Sequence, residues 1–546
     1  MNRDTSRGKL RARSAWRRVL ARLSADREVV AVISLYTAAW FMLLSASGRY
    51  WDDWAALDTS AQAVAEWNRM QGTFWQWDFL RLLSLLPGTE RIGHVLTFAL
   101  YLVSALLVLG LMRRLKGVSV QARVIISVLF AVFPVNAARY AHIDLMYAVA
   151  LAAFLLAWWL IAIDLEEPQV WRRACAAAIL LFAMLSTGSL LMFVVVLPAY
   201  VIWATGLWRD PGSCRSLFIR YGFIIGMPVV AWTIRTVALR PSGLYEGYNE
   251  LSTQGLARGV TLLSTAFTSS FVDPIGLALS SHIGVKVLLG VAVYTMFLRL
   301  FPGDTKTVEH SWGRLLALTG AGMTTFAIGV YPYVAVGKIP QLLGWDSRHQ
   351  LLVPIGAAML LYALVALASR LLGLQSRATL LILCVLMGAF ILADVQASAS
   401  YQADWYKQVS LMQRMEQSEA MQANTHFIFT DATGDLNAAG RDYSAYEYNG
   451  MLRMVFGDAT RFGVGAPYID RYDPLVMRQY EQYNCWQYEP TTERTSVVIE
   501  RGSVDVRDER VLLRLMWEEV FQPSEFRQDV ADVVRIRTEP MQPVTQ

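Results

Sequence analysis

The 546-residue chain is 55% apolar and 12% aromatic but only 17% charged, with a net charge of +5. Apolar sequence in such quantity, arriving in long unbroken blocks, excludes an ordinary soluble enzyme. The positive excess is no nucleic-acid footprint either, because it sits ahead of the first apolar block, in Arg3, Arg7, Lys9, Arg11, Arg13, Arg17, Arg18, Arg22 and Arg27.

Cations in that position are held by the anionic headgroups of the cytoplasmic leaflet, so residues 1–28 are expected inside. Block 29–46 is too long for a signal peptide and lacks a small-residue cleavage site, and it reads as a retained first span. An outer loop, 47–91, follows it. Span 92–112 returns to a basic inner loop with Arg113, Arg114, Lys116 and Arg123. Span 124–135, with Pro134 near its end, opens outer loop 136–145, and span 146–163 returns to Arg172 and Arg173.

Two short blocks come next, 174–185 and 190–207, joined by Ser186-Thr187-Gly188-Ser189. Basic residues flank the pair on both sides (Arg172 and Arg173; Arg209, Arg215 and Arg220), which predicts an out-and-back hairpin. A single kinked helix would invert everything downstream. Span 221–236 leads to outer loop 237–284, rich in Gly, Ser and Tyr. Spans 285–298, 315–336, 351–368 and 378–393 follow, with outer loop 337–350 between the middle two. Arg299, Lys306, Arg314, Arg370 and Arg377 mark the inner turns.

The chain thus reads as a polytopic α-helical membrane protein with about eleven spans over 29–393. Residues 394–546 are polar and mixed, and are expected to form a periplasmic α/β domain. In it, 401–423 reads as an amphipathic helix, 443–456 and 472–483 as helices, and 426–430, 496–500 and 533–536 as strands. The four cysteines, Cys175, Cys214, Cys384 and Cys485, are scattered and imply neither a disulfide nor a metal framework. No Walker loop, dinucleotide fingerprint or zincin motif is present, so a nucleotide cofactor is not expected.

The informative feature is Tyr50-Trp51-Asp52-Asp53-Trp54, immediately outside the first span. An acid pair between aromatics can simply end a span in the interfacial belt. It can also be a pair of carboxylates raised by partial burial toward useful base strength. Further along the outer side lie Arg139, His142 and Asp144 in loop 136–145, and Lys338, Arg348 and His349 in loop 337–350. An Arg entering a late span can hold a phosphate in two-point fashion, although snorkelling to a headgroup is the plain alternative. Asp78 reads as the wet side of an interfacial helix, and Arg235 as a snorkelling cation.

On these residues the chain resembles the GT-C superfold of membrane glycosyltransferases, which use polyprenyl-phosphate-linked sugars. The shared features are Asp52-Asp53 after the first span, membrane-lying helices expected over 59–70 and 74–86, and a soluble domain after the last span. The resemblance implies an enzyme of the bacterial inner membrane that moves a sugar from a lipid carrier to a periplasmic glycan, lipid or protein. It puts the catalytic role on Asp52 or Asp53 and a second acid, for the acceptor or a metal, at Asp144 with His142 beside it. Arg348, Arg139, His349 and Lys338 become candidates for the donor phosphate, with a divalent cation as an optional cofactor and membrane lipids as further partners. The rivals are a lipid-linked-glycan flippase or transporter, which calls for ionisable residues near span centres, and a polysaccharide polymerase.

Overall fold

A computed structural model describes residues 26–56, 60–206, 214–247, 249, 253–280, 282–302, 311–457, 460–468 and 494–540. Among these residues nine helices are long and apolar enough to cross a membrane, so the chain is a multi-pass membrane protein. Two shorter apolar helices, Val120–Val132 and Ser189–Thr205, accompany them. The basic segment 1–25 and the helix expected at 472–483 lie outside the described residues.

Ion pairs close one face of the bundle. Asp26 caps the first helix by accepting from the backbone N–H of Glu28 and Val29. Arg113 Nη2 donates to both Asp26 oxygens at 2.6 Å, and Arg113 Nε to Glu28 at 2.9 Å. Arg123 also pairs with Glu28. At the same end Arg114 meets Glu166 at 3.5 Å, the buried Asp164 accepts from the Tyr221 hydroxyl at 2.7 Å, and Arg27 donates to Leu300 O at 3.2 Å. This face carries the basic turns assigned to the inside by the sequence.

The opposite face, called the acid face below, is built from loops. Helix Val170–Ser186 ends there, where Trp75 Nε1 donates to Ser186 Oγ and Gln76 Nε2 to Ser186 O, each at 2.9 Å. Ser189, just past the turn, meets the Tyr333 hydroxyl at 3.2 Å. The returning helix brings the Tyr200 hydroxyl to Leu111 O at 3.2 Å, near the ion-paired face. The two short blocks therefore form an out-and-back hairpin.

Two expectations need correction. Residues 237–284 are not merely a loop, because they contain the apolar helical stretch Thr253–Ser280, one of the nine. Its polar contacts are with the acid face. Tyr331 donates to Leu256 O at 3.1 Å, Gln350 Nε2 to Ser269 O at 3.1 Å, and His282 just beyond it meets Gln396 at 3.3 Å. Phe267 and Phe271 pack further in, on Phe326 of helix Trp312–Val334. The second correction is at residue 394, where no domain break occurs. Residues 376–417 form one helix of 42 residues, because no Gly or Pro interrupts the chain after Gly388. At ~1.5 Å per residue it is ~63 Å long, about twice a hydrocarbon core.

Beyond this helix, the described residues carry a four-stranded sheet in the order β2-β1-β3-β4, with β1 His426–Asp431, β2 Phe462–Gly465, β3 Arg494–Arg501 and β4 Val534–Pro540. β1 runs parallel to both neighbours and β4 antiparallel to β3. Helix Ala445–Phe456 connects β1 to β2 and starts in a capping box between Ser444 and Glu447. The region is α/β as expected, but β2 was not expected from the sequence, β1 and β3 run one to three residues longer, and β4 starts one residue later and ends four later.

Close helix crossings rest on glycine. Gly356 and Gly322 face each other between helices Val353–Leu371 and Trp312–Val334, and a methyl group on Gly356 would fall on the backbone of Phe326. Gly356→Ala should therefore destabilise the protein by ~1–3 kcal/mol through overpacking. Gly226→Ala, on an exposed helix position with nothing within 4 Å, should be neutral. Thermal unfolding in detergent compares the two, and equal midpoints would contradict the crossing.

Candidate active site at the acid face

The acid pair sits on a strained turn. Trp51 has φ +49°, a left-handed conformation that is costly for a bulky residue. Its indole is held by Trp345 at 5.3 Å and Tyr401 at 5.7 Å, with the Arg441 guanidinium 4.9 Å from its ring. Its backbone N–H donates to Glu447 at 3.2 Å. The turn sends the two neighbouring carboxylates into different surroundings.

Asp53 is fully buried and its oxygens are occupied. Oδ2 accepts from Tyr50 N at 3.0 Å and His142 N at 2.9 Å, and Oδ1 from Ile143 N at 2.9 Å. Burial pushes its carboxyl up to about 7, while the three amide bonds favour the anion. A carboxylate whose lone pairs are engaged by backbone is a clasp between two loops, poorly placed to take a proton from a substrate.

Asp52 is only half-buried. The Arg348 guanidinium and the Tyr446 hydroxyl lie near it. Desolvation raises its carboxyl above the ordinary carboxylate range, against the opposing pull of Arg348 and Tyr446. Asp144 joins the same group, since Arg348, Asp53 and Asp52 are the charges that act on it. It is 2% exposed, and neither of its oxygens has a hydrogen-bond partner among the described residues. Arg348, half-buried, lies 3.9 Å over the Trp345 ring. The structure therefore gathers Asp52, Asp53, Asp144 and Arg348 in one place from three separate loops.

The other candidates are placed differently. Arg139 is 4% exposed and donates to Asn136 O at 3.0 Å and Val135 O at 2.9 Å, with its guanidinium 3.9 Å over Trp40 and 4.4 Å over Tyr101. It closes its own loop, whose left-handed Asn136 (φ +57°) curls those carbonyls inward. His142 contributes its backbone to Asp53, while its buried ring stacks on His94 at 4.3 Å. His349 packs on Tyr333 at 5.1 Å. Burial, then Arg348 and Lys338, push its imidazole down to about 3, so it is neutral at pH 7 and brings no charge to an anion. Lys338 is half-buried beside it. Asp78 accepts from Asn68 at 2.9 Å, and Arg235 donates to Leu185 O at 2.8 Å.

Sequence reasoning missed the contribution of the C-terminal region. Arg441 grips Glu447 through Nη1 at 2.7 and 2.6 Å and reaches Asp404 at 3.2 Å. Asp404 also accepts from the Tyr443 hydroxyl at 2.6 Å and from Ala438 N at 2.9 Å. Trp54 Nε1 donates to Gln408 at 3.0 Å, and the Tyr50 hydroxyl to Tyr401 O at 2.7 Å. The Ser-x-x-Glu capping signature at 444–447 is legible in the sequence, but nothing local ties it to residue 51.

The donor set does not suit a divalent cation. Among the described residues no three His, Cys, Asp or Glu side chains converge as ligands. Asp53 is engaged by amides, and Arg348 acts on both Asp52 and Asp144.

The division of labour between the two acids is open to measurement. Asp53→Asn sets an NH₂ group against backbone N–H donors in a dry site and should cost ~1.5–3 kcal/mol. Asp52→Asn, on the half-exposed side, should cost less than about 1 kcal/mol. Thermal unfolding in detergent gives both values, and equal losses would overturn the distinction. The chain matches no protein-family model and no curated protein.

Proposed function

We propose that the protein is a GT-C-type membrane glycosyltransferase that moves a sugar from a polyprenyl-phosphate carrier to an acceptor hydroxyl, with inversion. One observation carries the reading: Asp52 is a half-buried carboxylate that shares the loop-built end of a membrane bundle with Asp144 and the Arg348 guanidinium. A general base works best when burial brings its pKa toward working pH. Asp52 would take the acceptor hydroxyl proton as the sugar C1–O bond breaks. Arg348, its plane fixed against Trp345, would hold the departing lipid phosphate through two parallel N–H donors. No step requires a metal or a nucleotide.

In this reading about eleven crossings bring the acid face to the periplasmic side of a bacterial inner membrane. Helix Thr253–Ser280 lies on that side, the C-terminal region is periplasmic, and the basic N-terminal segment is cytoplasmic. Alkaline phosphatase fused after residue 540 should be active and a fluorescent fusion there dark. A bright fluorescent fusion would put the acid face in the cytoplasm and end the proposal.

The chemistry is tested by sugar transfer from a labelled polyprenyl-phosphate donor in proteoliposomes. Asp52→Asn should lose ~10²–10⁴-fold in turnover with donor binding retained. Because the base acts deprotonated and its carboxyl is raised, the wild-type rate should fall on acidification at a pH above the ordinary carboxylate range. Arg348→Lys should weaken donor binding by ~1–3 kcal/mol, and Arg348→Ala by more. Wild-type transfer by Asp52→Asn would sink the catalytic assignment. Movement of the lipid-linked sugar across the bilayer without transfer would favour the flippase instead.

A further inference from the structure

We infer that helix Glu509–Phe521 of the C-terminal region rests on the lipid bilayer beside the acid face, with Leu513, Trp517 and Phe521 set among the headgroups. The inference concerns how the molecule sits on its membrane, and it holds whether or not the acids transfer a sugar.

The helix has two unlike faces, both apolar. On one, Leu512, Leu515 and Met516 are buried. On the other, Leu513, Trp517 and Phe521 recur every fourth residue and so share a single stripe, yet they are 54, 58 and 61% exposed. The Trp517 and Phe521 rings lie 4.1 Å apart and make one continuous apolar surface. Water is a poor solvent for such a patch, and its presence on a folded surface marks an interaction site. A bilayer surface suits its composition, because an indole is at home in the headgroup layer, where one end of the ring is dry and the other wet.

What covers the stripe follows from where the helix is tied. From its opposite side Glu519 accepts from the Ser47 hydroxyl, from the Tyr406 hydroxyl at 2.9 Å and from Gln402 at 3.2 Å. Ser47 stands three residues past Leu44, the end of the first membrane-crossing helix. The helix is therefore held at the level where the spans leave the hydrocarbon. Ser47 also forms one wall of a groove of about 610 Å³, whose other wall is the start of helix Thr89–Arg114. Val95 in that wall begins a stripe with Ala99 and Val103, exposed along a helix that crosses the membrane and so turned to lipid. The lipid flank of the bundle thus runs from this span through the groove to the residue that ties helix Glu509–Phe521. Arg91, half-buried in the groove wall, places a guanidinium where lipid phosphates lie, while its neighbour Glu90 is held by Arg49 at 2.5 Å.

The test uses the full-length protein, one copy per phospholipid nanodisc, with the photocrosslinker p-benzoylphenylalanine in place of Trp517, Phe521 or Glu416 in turn. Glu416 is exposed on the long helix, ten residues beyond Tyr406 and so ~15 Å further along it from the membrane. After irradiation, intact-mass spectrometry should show a gain of one phospholipid for the crosslinker at 517 and at 521, and none at 416. All three positions are exposed, so thermal unfolding in detergent should match wild type, which separates loss of lipid contact from loss of fold. No lipid at 517 and 521, or as much lipid at 416, would overturn the inference. So would a crosslink from 517 or 521 to another stretch of the same chain, or in proteoliposomes to a second copy, in place of lipid; either result would assign the stripe to protein. The experiment reads no turnover, so a protein that transfers no sugar but takes up lipid at 517 and 521 would leave the inference standing.

Discussion

Three backbone amides pointing at one carboxylate organise the acid face. Asp53 accepts from Tyr50 within its own turn and from His142 and Ile143 in the second loop, so one side chain sets the distance between two loops that are otherwise far apart in sequence. Trp51, two positions before it, is left-handed, and Asp52 between them lies near Arg348. Asp144, in the loop that Asp53 holds, is brought to the same place. Charge-assisted hydrogen bonds in a dry site are among the stronger single contacts a fold can use. Here they compensate for a buried acid and for backbone strain two residues away.

Much of the bundle could be read from the chain because bilayer thickness imposes length and uniform apolarity on a span, and both are local properties. The hairpin at 186–189 was legible for the same reason, from basic residues on either side. Helix Thr253–Ser280 was not, because its Gly, Ser and Thr content resembles a loop and its helicity depends on packing against Tyr331, Gln350 and Phe326. The boundary at 394 was misjudged because polarity changes there while helical geometry does not.

The site itself was half visible. Position after the first span singled out Asp52 and Asp53, but only hydrogen bonds spanning about ninety residues separate their roles. His142 and Arg139 drew attention as side chains. The structure uses the backbone of the first, and it buries the second against carbonyls exposed by one left-handed asparagine. No local pattern ties Glu447 to Trp51, since that contact arises only when helix Ala445–Phe456 meets the first loop. The assembled group is also lopsided in charge, with Asp52, Asp53 and Asp144 gathered around one arginine.

The continuous helix Ser376–Gln417 makes the two parts of the molecule share a lever. A rigid rod cannot tilt at one end alone, and bilayers of different thickness impose different tilts on the helices that span them. The upper arm of this rod carries Tyr401, which meets Trp51 edge-on, and Asp404, which anchors Arg441. These side chains stand ~38–42 Å along the rod from its start, where a few degrees of rotation displace them by ångströms. Lipid composition thereby gains a mechanical route to the geometry of the acids, with no regulatory ligand required.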